Sequence, residues 1–168
     1  SFDGTAYYFC AEGCKERFDE DPLAYVPLDG ARPAPGFAVR SASGETVGLA
    51  DFAGRWLLLD FWATWCKPCV KSMPEMDDLA QRYEGRGLSV LGVSIDEDAD
   101  KAFRFAEKRK VDYTVAVDDV ENPAWNAYRV KVVPTMFLIN PDGQIVERWT
   151  GKWNHRVVAE RLEELLPS

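Results

Sequence analysis

Leu57-Leu58-Leu59-Asp60-Phe61-Trp62-Ala63-Thr64-Trp65-Cys66-Lys67-Pro68-Cys69 decides the fold of this chain. An apolar run suited to a buried strand leads to a cysteine pair, and Val70 to Tyr83 then reads as a helix. A strand feeding a helix across a short turn sets Cys66 at the helix N-terminus. Unpaired backbone N–H groups and the helix dipole favour a thiolate there. Cys69 lies about one turn further on, so the two sulfurs can meet. A Cys-x-x-Cys beside a βαβ pattern reads as a redox dithiol, with Cys66 as the attacking thiol and Cys69 as the resolving one. The other readings of such a pair are a structural disulfide and metal ligands.

Composition bounds the rest. A chain of 168 residues accommodates one ordinary domain and a small appendage. The formal charge of −8 argues against nucleic acid as a partner, since phosphate binding needs clustered Lys and Arg. No apolar run reaches membrane-spanning length. The chain begins Ser1-Phe2-Asp3-Gly4, with neither initiating Met nor signal peptide, and reads as a processed or trimmed start without its targeting segment. The 4 cysteines form two close pairs, too few for a disulfide scaffold.

Outward from the dithiol, Leu88 to Ile95 is a second strand, parallel to the first across the helix. A helix from Asp98 to Lys110, a short strand from Tyr113 to Val117 and a short helix from Pro123 to Tyr128 capped by Asn122 follow. Thr135 to Ile139 and Gln144 to Trp149 flank the turn Asn140-Pro141-Asp142-Gly143, and a last helix buries Val158, Leu162, Leu165 and Leu166. Phe37 to Val39 and Thr46 to Leu49 bracket a turn at Gly44. Before these, Thr5 to Phe9 is an aromatic strand candidate ending at Cys10, and Glu12 to Glu20 a helix carrying Cys14 and Phe18 on one face. The expected division is 1–26 as a small module, 27–36 as a Pro-rich linker and 37–168 as the main domain.

These residues resemble thioredoxin-fold oxidoreductases, in which Trp-Cys-x-x-Cys follows Asp-Phe-Trp-Ala, and most of all the extracytoplasmic TlpA/ResA-like branch. Pro74 matches the helix-kinking proline, Val133-Pro134-Thr135 the cis-proline motif that faces the dithiol, and Pro33 to Phe37 with the Gly44 turn the N-terminal hairpin. The resemblance implies an α/β, thioredoxin-like three-layer sandwich with a central mixed sheet, plus a small N-terminal αβ appendage. It implies a thiol–disulfide oxidoreductase that reduces protein disulfides outside the cytoplasm, in the bacterial periplasm or anchored facing it. Its partners would be protein disulfides and a recycling redox partner, such as a membrane-bound electron donor. No cofactor is required. Asp60 matches the buried aspartate of thioredoxins that moves a proton to or from Cys69, whereas Ser72 stands where the TlpA/ResA-like branch often has a glutamate. Val133 and Pro134 would offer backbone to an extended substrate, with Trp65 flanking the same groove.

Tyr8 to Phe18, with Asp21-Pro22 and Tyr25, resembles the second half of YHS/TRASH-type modules, which are associated with heavy metals. Cys10 and Cys14 are therefore candidate ligands for Zn or Cu. Two thiolates cannot close a tetrahedral site, and the family's further cysteine belongs to a segment upstream of this sequence. Weak or absent metal binding is expected, with Tyr7, Tyr8, Phe9, Phe18 and Tyr25 packing as a small core. His155 reads as a surface or capping residue. Two alternative functions stand beside the reductase. A peroxiredoxin-like peroxidase places Thr three residues before its cysteine, and Thr64 lies two before Cys66. A metal-binding or metal-delivery protein of the copper-chaperone kind has wider cysteine spacing. A combined role keeps the metal-site cysteines of a partner reduced.

Overall fold

The computed structural model describes Ala6, Tyr8, Phe9 and residues 11–22 and 30–168. Its centre is β4 (Trp56–Trp62), paired in parallel with β5 (Leu88–Ser94) and antiparallel with β7 (Thr135–Ile139). Among the described residues these belong to an eight-stranded mixed sheet. On one flank β7 continues to β8 (Gln144–Thr150) and the two-residue β1 (Arg32–Pro33). On the other, β5 continues in parallel to β6 (Thr114–Val117), then to β2 (Ala38–Ser41) and β3 (Thr46–Gly48). Parallel β4, β5 and β6 follow from the two crossover helices, α2 (Lys67–Tyr83) and α3 (Ala99–Lys108).

Alternation along β4 assigns its side chains to two layers. Leu57, Leu59 and Phe61 enter the cluster with Val39, Phe137 and Tyr128, which α4 (Ala124–Ala127) and a 3-10 turn at Leu49–Phe52 help to cover. Leu58 and Trp62 point the other way, under α2, α3 and α5 (His155–Leu165). Leu57, Leu58, Leu59 and Phe61 have no exposed surface, and burial of each such side chain is worth about 1.5–3 kcal/mol. Helices on both faces of a mixed sheet form the thioredoxin-like α/β sandwich.

Local chemistry explains the boundaries. Cys66 is the N-cap of α2, with Pro68 in the first turn. Pro74 sits inside α2, where it cannot donate to a preceding carbonyl. The Asp98 and Asn154 side chains accept backbone N–H bonds at the starts of α3 and α5. The cap of α4 departs from expectation. Asp118, not Asn122, accepts from Ala124 N at 2.7 Å and Trp125 N at 2.9 Å. Burial raises the Asp118 pKa, against the lowering effect of those backbone donors.

The segment expected to be linker is also more ordered over its second half. Arg32 and Pro33 pair with Ile145 and Gln144, Ala34 N donates to Gly143 O at 2.9 Å, and Tyr128 Oη donates to Pro35 O at 2.7 Å. Proline is tolerated there because, among the described residues, β1 is an edge strand with no outer neighbour needing its N–H. In the appendage α1 spans Glu12–Glu20, while the described residues of the expected aromatic strand, Ala6, Tyr8 and Phe9, lie in no strand.

Gly92 on β5 lies opposite Asp60. A Cβ there would meet Tyr113 Cε2 at 2.9 Å and Trp62 Nε1 at 3.2 Å, atoms of rigid, buried rings. Gly92→Ala is expected to destabilise the protein by about 1–3 kcal/mol in urea unfolding, because overpacking outweighs the loss of glycine's unfolded-state freedom. Unchanged or increased stability would contradict this packing.

Candidate functional site

The turn after β4 delivers the cysteines. Cys66 N donates to Ala63 O at 3.1 Å, which closes the turn, and Cys66 keeps an extended backbone before α2 begins. Cys69 N donates to Cys66 Sγ at 3.3 Å, so an otherwise orphan donor of the first helical turn is spent on sulfur. The two residues form a disulfide with Cα atoms 5.3 Å apart. Cys66 Sγ also lies 3.6 Å from Val133 O. In the disulfide this is a contact; in the reduced state a Cys66 thiol at this position would donate to that carbonyl. The Val133–Pro134 peptide bond is cis.

Nucleophilic attack calls for an exposed thiolate, yet in the disulfide Cys66 is only 5% exposed and Cys69 3%. Trp65, at 64% exposed, carries the accessible surface. What separates the two sulfurs is position: Cys66 Sγ takes the helix N–H and faces Val133. Ser72 turns its hydroxyl back onto Pro68 O at 3.1 Å and Cys69 O at 3.0 Å, a hydrogen-bonding role confined to the helix.

Asp60 lies on the same face of β4 as Leu58 and Trp62, and Trp62 packs in the cluster that holds Cys66, Cys69 and Met73. It is 6% exposed and its Oδ1 has no hydrogen-bond partner among the described residues. Burial pushes its pKa well above the ordinary carboxylate value. The Tyr113 hydroxyl is likewise pushed up, by burial first and then by the charges of Asp60 and Asp77. The structure thus places Asp60 under α2, in the layer of the dithiol, as a carboxyl that favours its protonated form.

A further carboxylate was not singled out in the sequence. Asp96 Oδ2 accepts from Thr64 N at 2.8 Å and Ser94 Oγ at 2.6 Å, and Oδ1 accepts from Thr64 Oγ1 at 2.6 Å. Ile95 N donates to Trp62 O at 2.9 Å. The turn that presents Cys66 is therefore pinned to the end of β5. The signal was a polar Ser94 and Asp96 closing an apolar strand, visible only once Trp62 and Ser94 are known to be in register.

In the appendage Cys10 lies outside the described residues, as do Tyr7 and Tyr25. Cys14 is exposed on α1. Phe9 and Phe18 meet as tilted rings with centroids 5.0 Å apart, but Tyr8 is 94% exposed and takes no part in a core. Arg129 donates to Asp21 at 3.0 Å, joining the end of α1 to the larger domain. Among the described residues, which leave out Cys10, no three His, Cys, Asp or Glu side chains converge as a metal site. His155 opens α5, its Nε2 2.8 Å from Asp78 Oδ2, and Asn154 supplies the cap. No described helix is long and apolar enough to cross a membrane.

Residues 31–148 match the AhpC/TSA family, and residues 1–29 match the YHS domain. The thiol-disulfide oxidoreductase ResA of Bacillus thuringiensis subsp. konkukian is 32% identical over 136 residues, which span 81% of this chain and 78% of that protein. ResA of Geobacillus kaustophilus is 33% identical over 134 residues, 80% of this chain and 76% of that one. The structure of a Chlorobium tepidum protein, described as a candidate thiol:disulfide interchange protein DsbE, superposes with a TM-score of 0.75 at 32% identity, over 82% of this chain and 97% of that chain. A thiol-disulfide oxidoreductase from Bacteroides fragilis gives a TM-score of 0.71 at 27% identity, over 80% of this chain and 100% of that chain. With a cysteine pair at disulfide distance at the start of α2, the chain belongs to the AhpC/TSA family of thioredoxin-fold proteins and is a thiol–disulfide oxidoreductase.

Proposed function

We propose that this protein reduces disulfides of other proteins, with Cys66 as nucleophile, Cys69 as resolving thiol and Asp60 as proton relay. The single observation that carries the reading is Cys66 Sγ held by Cys69 N on one side and facing Val133 O, next to Pro134, on the other. Cys66 thiolate attacks a substrate disulfide, breaking its S–S bond and releasing one substrate thiolate. Cys69 then attacks Cys66 in the mixed disulfide, which frees the second substrate thiol and leaves the Cys66–Cys69 disulfide. Two electrons pass to the substrate. Cys69 must lose a proton for the second step, and Asp60 in its carboxylate form, made a stronger base by burial, is the acceptor that lies in its layer. Val133 and Pro134 provide the backbone against which an extended substrate lies, and Trp65 flanks it.

The peroxidase alternative gains nothing from the geometry, since the Thr64 hydroxyl is engaged with Asp96. The likeness to ResA and DsbE proteins supports an extracytoplasmic setting with a separate protein that recycles the dithiol. The two family matches support a division into an N-terminal YHS-type module and a thioredoxin-like domain. A module of that kind suits a reductase whose substrates are metal-site cysteines.

Cys69→Ser should accumulate mixed disulfides with protein substrates, while Cys66→Ser should form none, as read by non-reducing electrophoresis and mass spectrometry. Trapping through Cys69 in the Cys66→Ser variant would overturn the assignment of roles. Asp60 makes a separate prediction with a definite sign. Its folded pKa lies above the unfolded value of about 3.9, so the folded state holds the extra proton and stability falls as pH rises above that value. Asp60→Asn should therefore raise the Tm at pH 7–8, by about 2–4 °C for each kcal/mol of charge burial relieved, and the gain should vanish below about pH 4. The same variant should slow release of substrate from the mixed disulfide more than its formation. A Tm difference independent of pH would contradict the burial argument, and equal slowing of both steps would contradict the relay.

A further inference from the structure

A groove with a volume of about 640 Å³ opens beside the redox pair, with Lys67, Pro68 and Pro134 in its lining. Its walls oppose the character of the molecule. The chain carries a formal charge of −8, yet Lys67, Lys71, Lys152 and Arg156 line this groove against the single carboxylate of Glu75. Lys67 and Lys71 come from the first turns of α2, whereas Lys152 and Arg156 come from the loop after β8 and the start of α5. Two distant parts of the chain therefore bring cations to the same place. Their local partners leave most of that charge available. Arg156 is paired only loosely with Glu160, at 3.5 Å and with both side chains exposed, and His155 rather than a lysine takes Asp78. Trp153 adds an aromatic side chain to the lining.

We infer that this groove selects an acidic polypeptide segment, with Asp or Glu flanking the substrate cysteine, from among disulfide-bearing proteins. The inference rests on the dithiol reading and names the substrate class for it. A cleft of one sign in a protein of the other sign focuses the field locally, raising the association rate of oppositely charged ligands and repelling like-charged ones. Because the cations begin at Lys67, beside the nucleophile, acidic residues within a few positions of the substrate cysteine would meet them while its sulfur faces Cys66. In each turnover the substrate S–S bond breaks, the Cys66–Cys69 bond forms, and the two electrons of the dithiol reduce the two substrate sulfurs, which take up two protons.

The test uses the whole reduced protein and three peptides of equal length, each with one cysteine held as a mixed disulfide with 2-mercaptoethanol. Asp/Glu, Ser/Gln or Lys/Arg flank the cysteine. At low ionic strength the second-order rate constants should fall in that order, with the acidic peptide about tenfold faster than the neutral one and the basic peptide slower still. The spread should close near 1 M salt, where the screening length is about 3 Å. In Lys71→Glu/Lys152→Glu/Arg156→Glu the ratio of acidic to basic rates should invert, each rate being referred to that of bis(2-hydroxyethyl) disulfide in the same variant. Rates for acidic and basic peptides within twofold of each other at low salt, or a ratio unmoved by charge reversal, would overturn the inference while leaving the dithiol reading intact. Failure to reduce any of the disulfides, the uncharged one included, would overturn the dithiol reading and the inference with it.

Discussion

The seat of one sulfur atom organises this protein. Cys66 Sγ occupies the N-cap of α2, accepts the Cys69 N–H and faces the Val133 carbonyl across the turn. Each partner belongs to a different part of the fold, so the seat exists only when β4, α2 and the approach to β7 are all in place. β4 must end at Trp62 for the turn to begin, and Asp96 must hold Thr64 for the turn to keep its shape. The buried apolar strand and the chemistry are thus one construction: the rigid sheet sets the position of a turn too short to position itself.

The same core imposes a cost. Asp60 interrupts a strand whose other residues are aliphatic or aromatic, and it faces the interior with one oxygen that has no partner among the described residues. A carboxyl there destabilises the fold whenever it is charged. The proton relay to Cys69 that we propose would account for its presence. The groove is organised by the opposite rule, with charge at the surface, where it costs little and acts over distance.

Much of this was legible in the sequence because it is written in local patterns. The run Leu57 to Phe61, the helix after Cys69, the parallel strand from Leu88 and the Asn140 to Gly143 turn each carry their own periodicity or turn chemistry. The resemblance added the cis bond at Pro134, which no local pattern specifies. What escaped depends on contacts between distant residues. Asp96 acts on Thr64 only because β4 and β5 are in register. Asp118 displaced Asn122 as the cap of α4 because the end of β6 brings it there. Pro33 joined a sheet because β8 had an open edge, and the slight exposure of Cys66 follows from packing against Val133 and Met73 that sequence spacing does not reveal. The grouping of Lys71 with Lys152 and Arg156 likewise required the fold.

In the function we propose, Cys66 and Cys69 form a reversible two-electron couple that serves as a reductant. The most direct measurement is equilibration of the protein in defined thiol/disulfide buffers, with the reduced fraction read by alkylation and mass. A single transition with the slope of a two-electron couple is predicted, at a potential at or below the glutathione range of about −220 to −260 mV. A pair that does not exchange with the buffer, or a potential near the value of about −120 mV that marks a strong oxidant, would contradict it.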